Sequence, residues 1–205
     1  MIKYSDIDPR KQAFIFELDD VLYPEKDYLL QVYYLFGSFL EYTELIDQKG
    51  ATSFMVGAYE SEGKEMVFDR LKDKFKLDEK YRFNFNHLNI TAKLPLKLLL
   101  YQSMLTLLQD IVVDRKKIFI LTNGNPEQQL NKIKQTDWQG LEPYLTCYFA
   151  NEIAPKPETD SIDLLIKDNN LQRRNILMFG NSDVDIQCAD ASGIDLIKPI
   201  EFLPV

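Results

Sequence analysis

The 205-residue sequence is poor in several features that mark large functional classes. Its two cysteines, Cys147 and Cys188, lack metal-ligand spacing and are too few for a disulfide framework, so a reducing compartment is expected, with both side chains in the core. Its one histidine, His87, has no evident partner; a partly exposed position is expected, with a substrate contact as the alternative. Basic residues are not in excess: the net charge is −8 and no basic stripe is visible, so no nucleic-acid partner is expected. No apolar run reaches the ~20 residues that a membrane-spanning helix needs. The most apolar stretch, Tyr28 to Leu40, lies between Asp27 and Glu41 and reads as a buried helix. The opening MIKYSDIDPR has no apolar run after its first charges, so no secretory signal, no membrane partner and a cytoplasmic location are expected. Internal repeats and low-complexity segments are missing, and no Gly-x-Gly-x-x-Gly follows the first apolar run, which removes the simplest nucleotide-binding reading.

What is present is an alternation. AFIFEL (Ala13 to Leu18), KIFIL (Lys117 to Leu121), LTCYFA (Leu145 to Ala150), NILMF (Asn175 to Phe179) and IDLI (Ile194 to Ile197) read as short strands buried on both faces of a parallel sheet. Helical stretches separate them at Pro126 to Gln135, Thr159 to Asp168 and Asp183 to Ala191, the first opening on proline. The expected fold class is α/β with a doubly wound parallel sheet. Between Leu18 and Lys117 the interval is far longer than one crossover helix, so an insertion is expected there. Within it, Asp27 to Gln48 and Ser61 to Lys76 read as helices, Tyr81 to Asn89 is turn-rich and ambiguous, and a helix near Leu96 to Asp110 leads back to the sheet. The expected domains are an α/β core over 1–22 and 96–205 and a mostly helical cap over 23–95.

Ligands of open parallel sheets sit beyond the carboxyl ends of the strands. Those ends carry Glu17-Leu18-Asp19-Asp20, then Thr122-Asn123-Gly124, then Asn151 with Lys156-Pro157, and then Gly180-Asn181-Ser182-Asp183-Val184-Asp185. Acids, a hydroxyl and a lysine are the types needed where a carboxylate attacks a phosphoryl group, because the developing negative charge must be offset where it forms.

In this order the segments resemble the four motifs of the haloacid dehalogenase superfamily, which implies a Rossmann-like core with an inserted helical, C1-type cap and a hydrolase of phosphomonoesterase type. FELDDVLY resembles the first motif, ILTNG the second, Lys156 in APKPE the third, and FGNSDVDIQCADASGI the fourth. The resemblance implies that Glu17 stands at the nucleophile position and that Asp19 is the general acid and base. Thr122 and the Asn123 backbone amide would hold phosphate oxygens, and Lys156 would neutralise charge. It also implies Mg2+ held by Glu17, the Asp19 carbonyl and Asn181 and supported by Asp185. The implied ligand is a small phosphorylated molecule; the sequence selects neither a particular one nor an oligomeric state.

Two positions depart from the pattern. The nucleophile position is almost always aspartate in the superfamily and is Glu17 here; the extra methylene displaces the carboxylate, and ~1 Å of misplacement can cost ~100-fold in rate. Asn181 replaces an acid, and magnesium prefers carboxylates and water; one pair of unit charges at ~4 Å and an effective dielectric of ~20 is worth ~4 kcal/mol. Weak magnesium binding and weakened catalysis are therefore expected, with a catalytically inactive binding protein of the same fold as the alternative. The fully ionised set Glu17, Asp19, Asp185 and Lys156 is two charges negative, which repels phosphate unless a cation intervenes.

Other readings of single residues stay open. Glu17 and Asp19 could form an acidic turn, Thr122 a turn cap, and Lys156 a surface position; Asn181 and Asp183 suit the cap of the following helix. Tyr28, Tyr33, Phe36 and Phe39 read as cap packing. A receiver domain would need an aspartate where Asn151 stands, and haloalkanoate dehalogenation would need one at Glu17.

Overall fold

The computed structural model describes residues 3–201; residues 1–2 and 202–205, assigned from sequence to the ends of the core, lie outside the described residues. The chain divides into two compact units. One comprises the segment up to Pro24, Leu98–Gln129, and the chain from Thr136 onward; the other comprises Glu25–Lys97 and Leu130–Gln135.

The first unit is built on strands β1 (Ala13–Phe16), β2 (Leu98–Leu99), β3 (Lys117–Thr122), β4 (Thr136–Asp137), β5 (Leu145–Phe149), β6 (Ile176–Phe179) and β7 (Asp195–Ile197). Five of them form a sheet in the order β5-β3-β1-β6-β7, and every neighbouring pair is parallel. The strand order moves outward from β1 on one side, then restarts on its other side with β6, so the reversal that creates a ligand crevice in such sheets falls at β1. Every residue of β1 and β6 is buried, the state their unbroken apolar sequences predict. Phe16 and Phe179, paired in register, stack with centroids 4.7 Å apart. Ile15, Phe119, Leu121 and Met178 join Ile162, Leu165, Cys188 and Ala189 in the core, so Cys188 is a packing residue. β2 pairs with β4 in a separate two-stranded ribbon.

The helices are α1 (Glu25–Glu44), α2 (Gln48–Glu62), α3 (Val67–Phe75), α4 (Tyr81–Thr91), α5 (Gln102–Val113), α6 (Pro126–Gln135), α7 (Asp160–Asn169) and α8 (Asp183–Ser192). The second unit contains α1 to α4. Phe36 packs on Phe85 at 5.1 Å, and Phe68 on Phe85 at 5.5 Å; Tyr28, Tyr33 and Phe36 are buried, as the cap-packing reading expects.

Several elements differ from the sequence expectation. The first expected helix, Asp27 to Gln48, ends at Glu44, and most of α2 (Gln48–Glu62) lies in the interval before Ser61 where no helix was expected. The stretch Ser61 to Lys76 is divided, because Gly63 takes a positive φ of 88° at the end of α2 and a 3-10 turn (Lys64–Met66) precedes α3, a role that suits glycine. The ambiguous Tyr81 to Asn89 is helical: Tyr81 and Phe85, four residues apart, are the buried face of α4, and their packing outweighs the weak propensities of its asparagines. The return helix starts at Gln102, because Leu98–Leu99 is a strand. His87 is exposed and stacks on Phe83 with centroids 6.0 Å apart. No helix among the described residues is long and apolar enough to cross a membrane.

Candidate active site

Glu17 follows directly on β1, and its backbone N–H still donates to the Phe179 carbonyl at 3.0 Å. The ladder therefore fixes the side chain's starting point. Its Oε1 accepts from the Leu18 N–H at 2.9 Å and from the Thr122 hydroxyl. Its Oε2 accepts from Lys156 Nζ. Thr122, the last residue of β3, is buried, as is Lys156, whose side chain is fully enclosed.

Lys156 Nζ also donates to Asp185 Oδ1 and lies 3.3 Å from the Leu121 carbonyl. One ammonium thus bridges two buried carboxylates. Asp185 sits in the first turn of α8. Its Oδ2 accepts from the Ser182 hydroxyl at 2.6 Å, the Ser182 N–H at 3.0 Å and the Asn181 N–H at 3.1 Å. Ser182, and neither Asn181 nor Asp183, is the residue that caps α8, with Asp185 completing a capping box. Gly180 is required by close approach, since a Cβ there would stand 2.5 Å from that of Asp185.

Asp19 is half-buried. Its Oδ1 accepts from the Tyr23 hydroxyl at 3.1 Å and its Oδ2 from Gln129 Nε2 at 3.2 Å. Gln129 Nε2 also reaches Thr122 Oγ1 at 3.0 Å and the Asn123 carbonyl at 2.6 Å, linking the ends of β1 and β3. Glu17, Thr122, Lys156 and Asp185 are therefore in direct contact. Asp19 joins them through Gln129, Asn123 through the Lys156 backbone, and Asn181, which is exposed, through its backbone N–H on Asp185. Sequence reasoning missed Gln129, whose only signal was its place in the first turn of a helix following a strand end. It also missed Ser182, which the Ser-x-x-Asp spacing could have revealed. Asn151, weighed as a receiver position, accepts the Gly124 N–H at 2.8 Å and is structural.

The charges follow from this geometry. Burial pushes the Glu17 carboxyl above its ordinary pKa; Lys156 offsets the burial only in part, and nearby Asp185 adds to the rise. Burial also opposes the charges on Lys156 and Asp185. For Lys156 the two carboxylates outweigh it and hold the ammonium's pKa above the usual value. For Asp185 the attraction of Lys156 and the hydrogen bonds from Lys156 and Ser182 outweigh it, and its pKa is lowered. With one cation between two acids, Asp185 is the acid whose charge is held more firmly.

These residues fit a resident magnesium ion poorly. Both Glu17 oxygens and both Asp185 oxygens accept hydrogen bonds from the protein, and Asn181 brings no charge. Among the described residues no group of three His, Cys, Asp or Glu side chains is arranged to hold a metal.

No curated protein matches this sequence significantly. Among solved structures, the fold resembles a Thermotoga maritima protein provisionally named a beta-phosphoglucomutase (19% identity, 94% of this chain and 96% of that one, TM-score 0.60). It also resembles a Bacillus subtilis HAD-hydrolase, YfnB, likewise provisional and described as bound to magnesium (16% identity, 91% and 86%, TM-score 0.60). A provisional phosphoglycolate phosphatase from Lactobacillus delbrueckii subsp. bulgaricus is a third (16% identity, 96% and 86%, TM-score 0.55). At these identities the likeness is one of fold. The sequence itself matches the haloacid dehalogenase-like hydrolase family over residues 14–198, a span that includes all four strand ends of the site, and the chain belongs to that family.

Proposed function

We propose that this chain is a phosphomonoesterase-type hydrolase of a small phosphorylated metabolite, with catalysis weakened at Glu17 and Asn181. The observation that carries the reading is the contact of one enclosed lysine, Lys156, with the nucleophile-position carboxylate and with Asp185, beside a buried threonine hydroxyl. A cation so placed offsets negative charge on an attacking carboxylate and an incoming phosphoryl group. Asp19, two residues after Glu17, is the general acid and base of this reading, and the Tyr23 and Gln129 hydrogen bonds would orient it. Names of similar folds include a provisional phosphatase and a provisional phosphoglucomutase, which supports phosphoryl chemistry as the class. The net charge of −8 supports a small ligand over nucleic acid, and a cytoplasmic setting is in keeping with two free cysteines.

Magnesium, the cofactor of this reading, would bind weakly, because the carboxylates it needs are already engaged by protein donors. The same observation favours a second reading, a catalytically inactive binding protein of this fold. The two separate on hydrolysis of an aryl phosphate by the Glu17→Asp, Asn181→Asp double variant. A slow parent and a variant faster by about 100-fold, the scale of a ~1 Å correction, support the degenerate hydrolase. Equal and rapid turnover by both would remove the claim of weakened catalysis, and inactivity of both would favour the binding protein.

A further inference from the structure

Three donors converge on one place at the end of β1: the Thr122 hydroxyl, the Lys156 ammonium and the Leu18 backbone N–H. All three end on the carboxylate of Glu17. Thr122 Oγ1 accepts from Gln129 Nε2 at 3.0 Å; its single proton has the Asn123 carbonyl at 3.3 Å and the much nearer Glu17 Oε1 as acceptors, and the shorter contact is the one to Glu17. A hydroxyl, an ammonium and a backbone amide around one point form an anion site. Glutamate carries its carboxylate one C–C bond, roughly 1.5 Å, farther from the backbone than aspartate does.

We infer that the Glu17 carboxylate is the resident anion of this site: its two oxygens hold the Thr122, Lys156 and Leu18 donors, and a free phosphate or carboxylate enters only when that side chain is withdrawn or removed. Glu17 is in this account a tethered occupant. Removing it leaves Lys156 paired with Asp185, so the vacated site keeps a compensated ammonium instead of an isolated buried charge. The fragment lost in Glu17→Ala is a methylene carboxylate, and acetate matches it in shape.

The test is thermal denaturation of the parent and of Glu17→Ala, titrated with sodium acetate or sodium phosphate through the millimolar range at ionic strength held constant with sodium chloride. The expected result is a saturable rise in melting temperature for the variant with at least one of the two anions, and for the parent with neither. The apparent affinity should differ by tenfold or more. A saturable shift in the parent, or a folded Glu17→Ala protein that responds to neither anion, overturns the inference. If Glu17→Ala does not fold, Glu17→Ser takes its place; if neither folds, the parent titration decides by the presence or absence of a shift. The inference rests on reading these donors as the phosphate-binding groups of a hydrolase site, and turnover by the Glu17→Asp, Asn181→Asp variant tests that reading separately. An active double variant beside an anion-blind Glu17→Ala protein would sink the occupancy alone.

Discussion

Asn123 and Lys156 hold each other at two points: Asn123 Nδ2 donates to the Lys156 carbonyl at 2.9 Å, and the Lys156 N–H donates to Asn123 Oδ1 at 3.0 Å. The asparagine thereby acts as a surrogate strand partner, fixing the backbone of the lysine-bearing loop against the end of β3. The ammonium is delivered to Glu17 and Asp185 from a backbone position that is itself restrained. Replacing Asn123 with alanine removes both bonds and should lower stability by about 1–3 kcal/mol, measured by urea denaturation. A change within error of zero would show that the clamp does not hold the loop.

Lys156 is more critical. Lys156→Ala leaves Glu17 and Asp185 buried with no countercharge, and the expected loss is about 3–5 kcal/mol. Adding Glu17→Gln to that variant should recover part of the loss, because one of the two stranded carboxylates is gone. A double-mutant cycle with additive effects would mean that the two side chains do not interact in solution.

The pH dependence has a definite sign. Because burial raises the Glu17 pKa above its usual 4.5, the folded protein keeps a proton there that the unfolded chain has already released. Between those two values the folded state binds more protons, so this group's contribution to stability falls as pH rises through its folded pKa. Asp185, with a lowered pKa, acts oppositely: its contribution is present above the unfolded value and is lost as pH falls through the folded one. Glu17→Gln removes only the first effect. The stability of Glu17→Gln minus that of the parent should therefore grow as pH increases from 4.5. A difference that is flat or shrinks over this range would contradict the raised pKa.

The strands were legible because β1, β3 and β6 are apolar runs whose two faces are both covered, a pattern that few other structures impose. The four polar segments could be placed at one edge for the same reason: parallel strands put all their carboxyl ends on one side. What the sequence concealed was contact at longer range. Gln129 is one glutamine among several in α6, and only the fold brings its amide to both Asp19 and Thr122. Helix α4 was hidden because its asparagines obscured the spacing of Tyr81 and Phe85, and the break in the cap lay in one glycine, Gly63, whose positive φ cannot be read without its surroundings. The sequence marked Glu17 and Asn181 as departures, but it could not reveal that every carboxylate oxygen of Glu17 and Asp185 already has a protein donor.

In the proposed reading that saturation weakens cation binding, and isothermal titration of magnesium into the parent, beside Glu17→Asp, Asn181→Asp, tests it most directly. The account predicts that the double variant binds magnesium at least tenfold more tightly than the parent, a difference of about 1.4 kcal/mol. Equal, tight magnesium binding by the unaltered protein would contradict it.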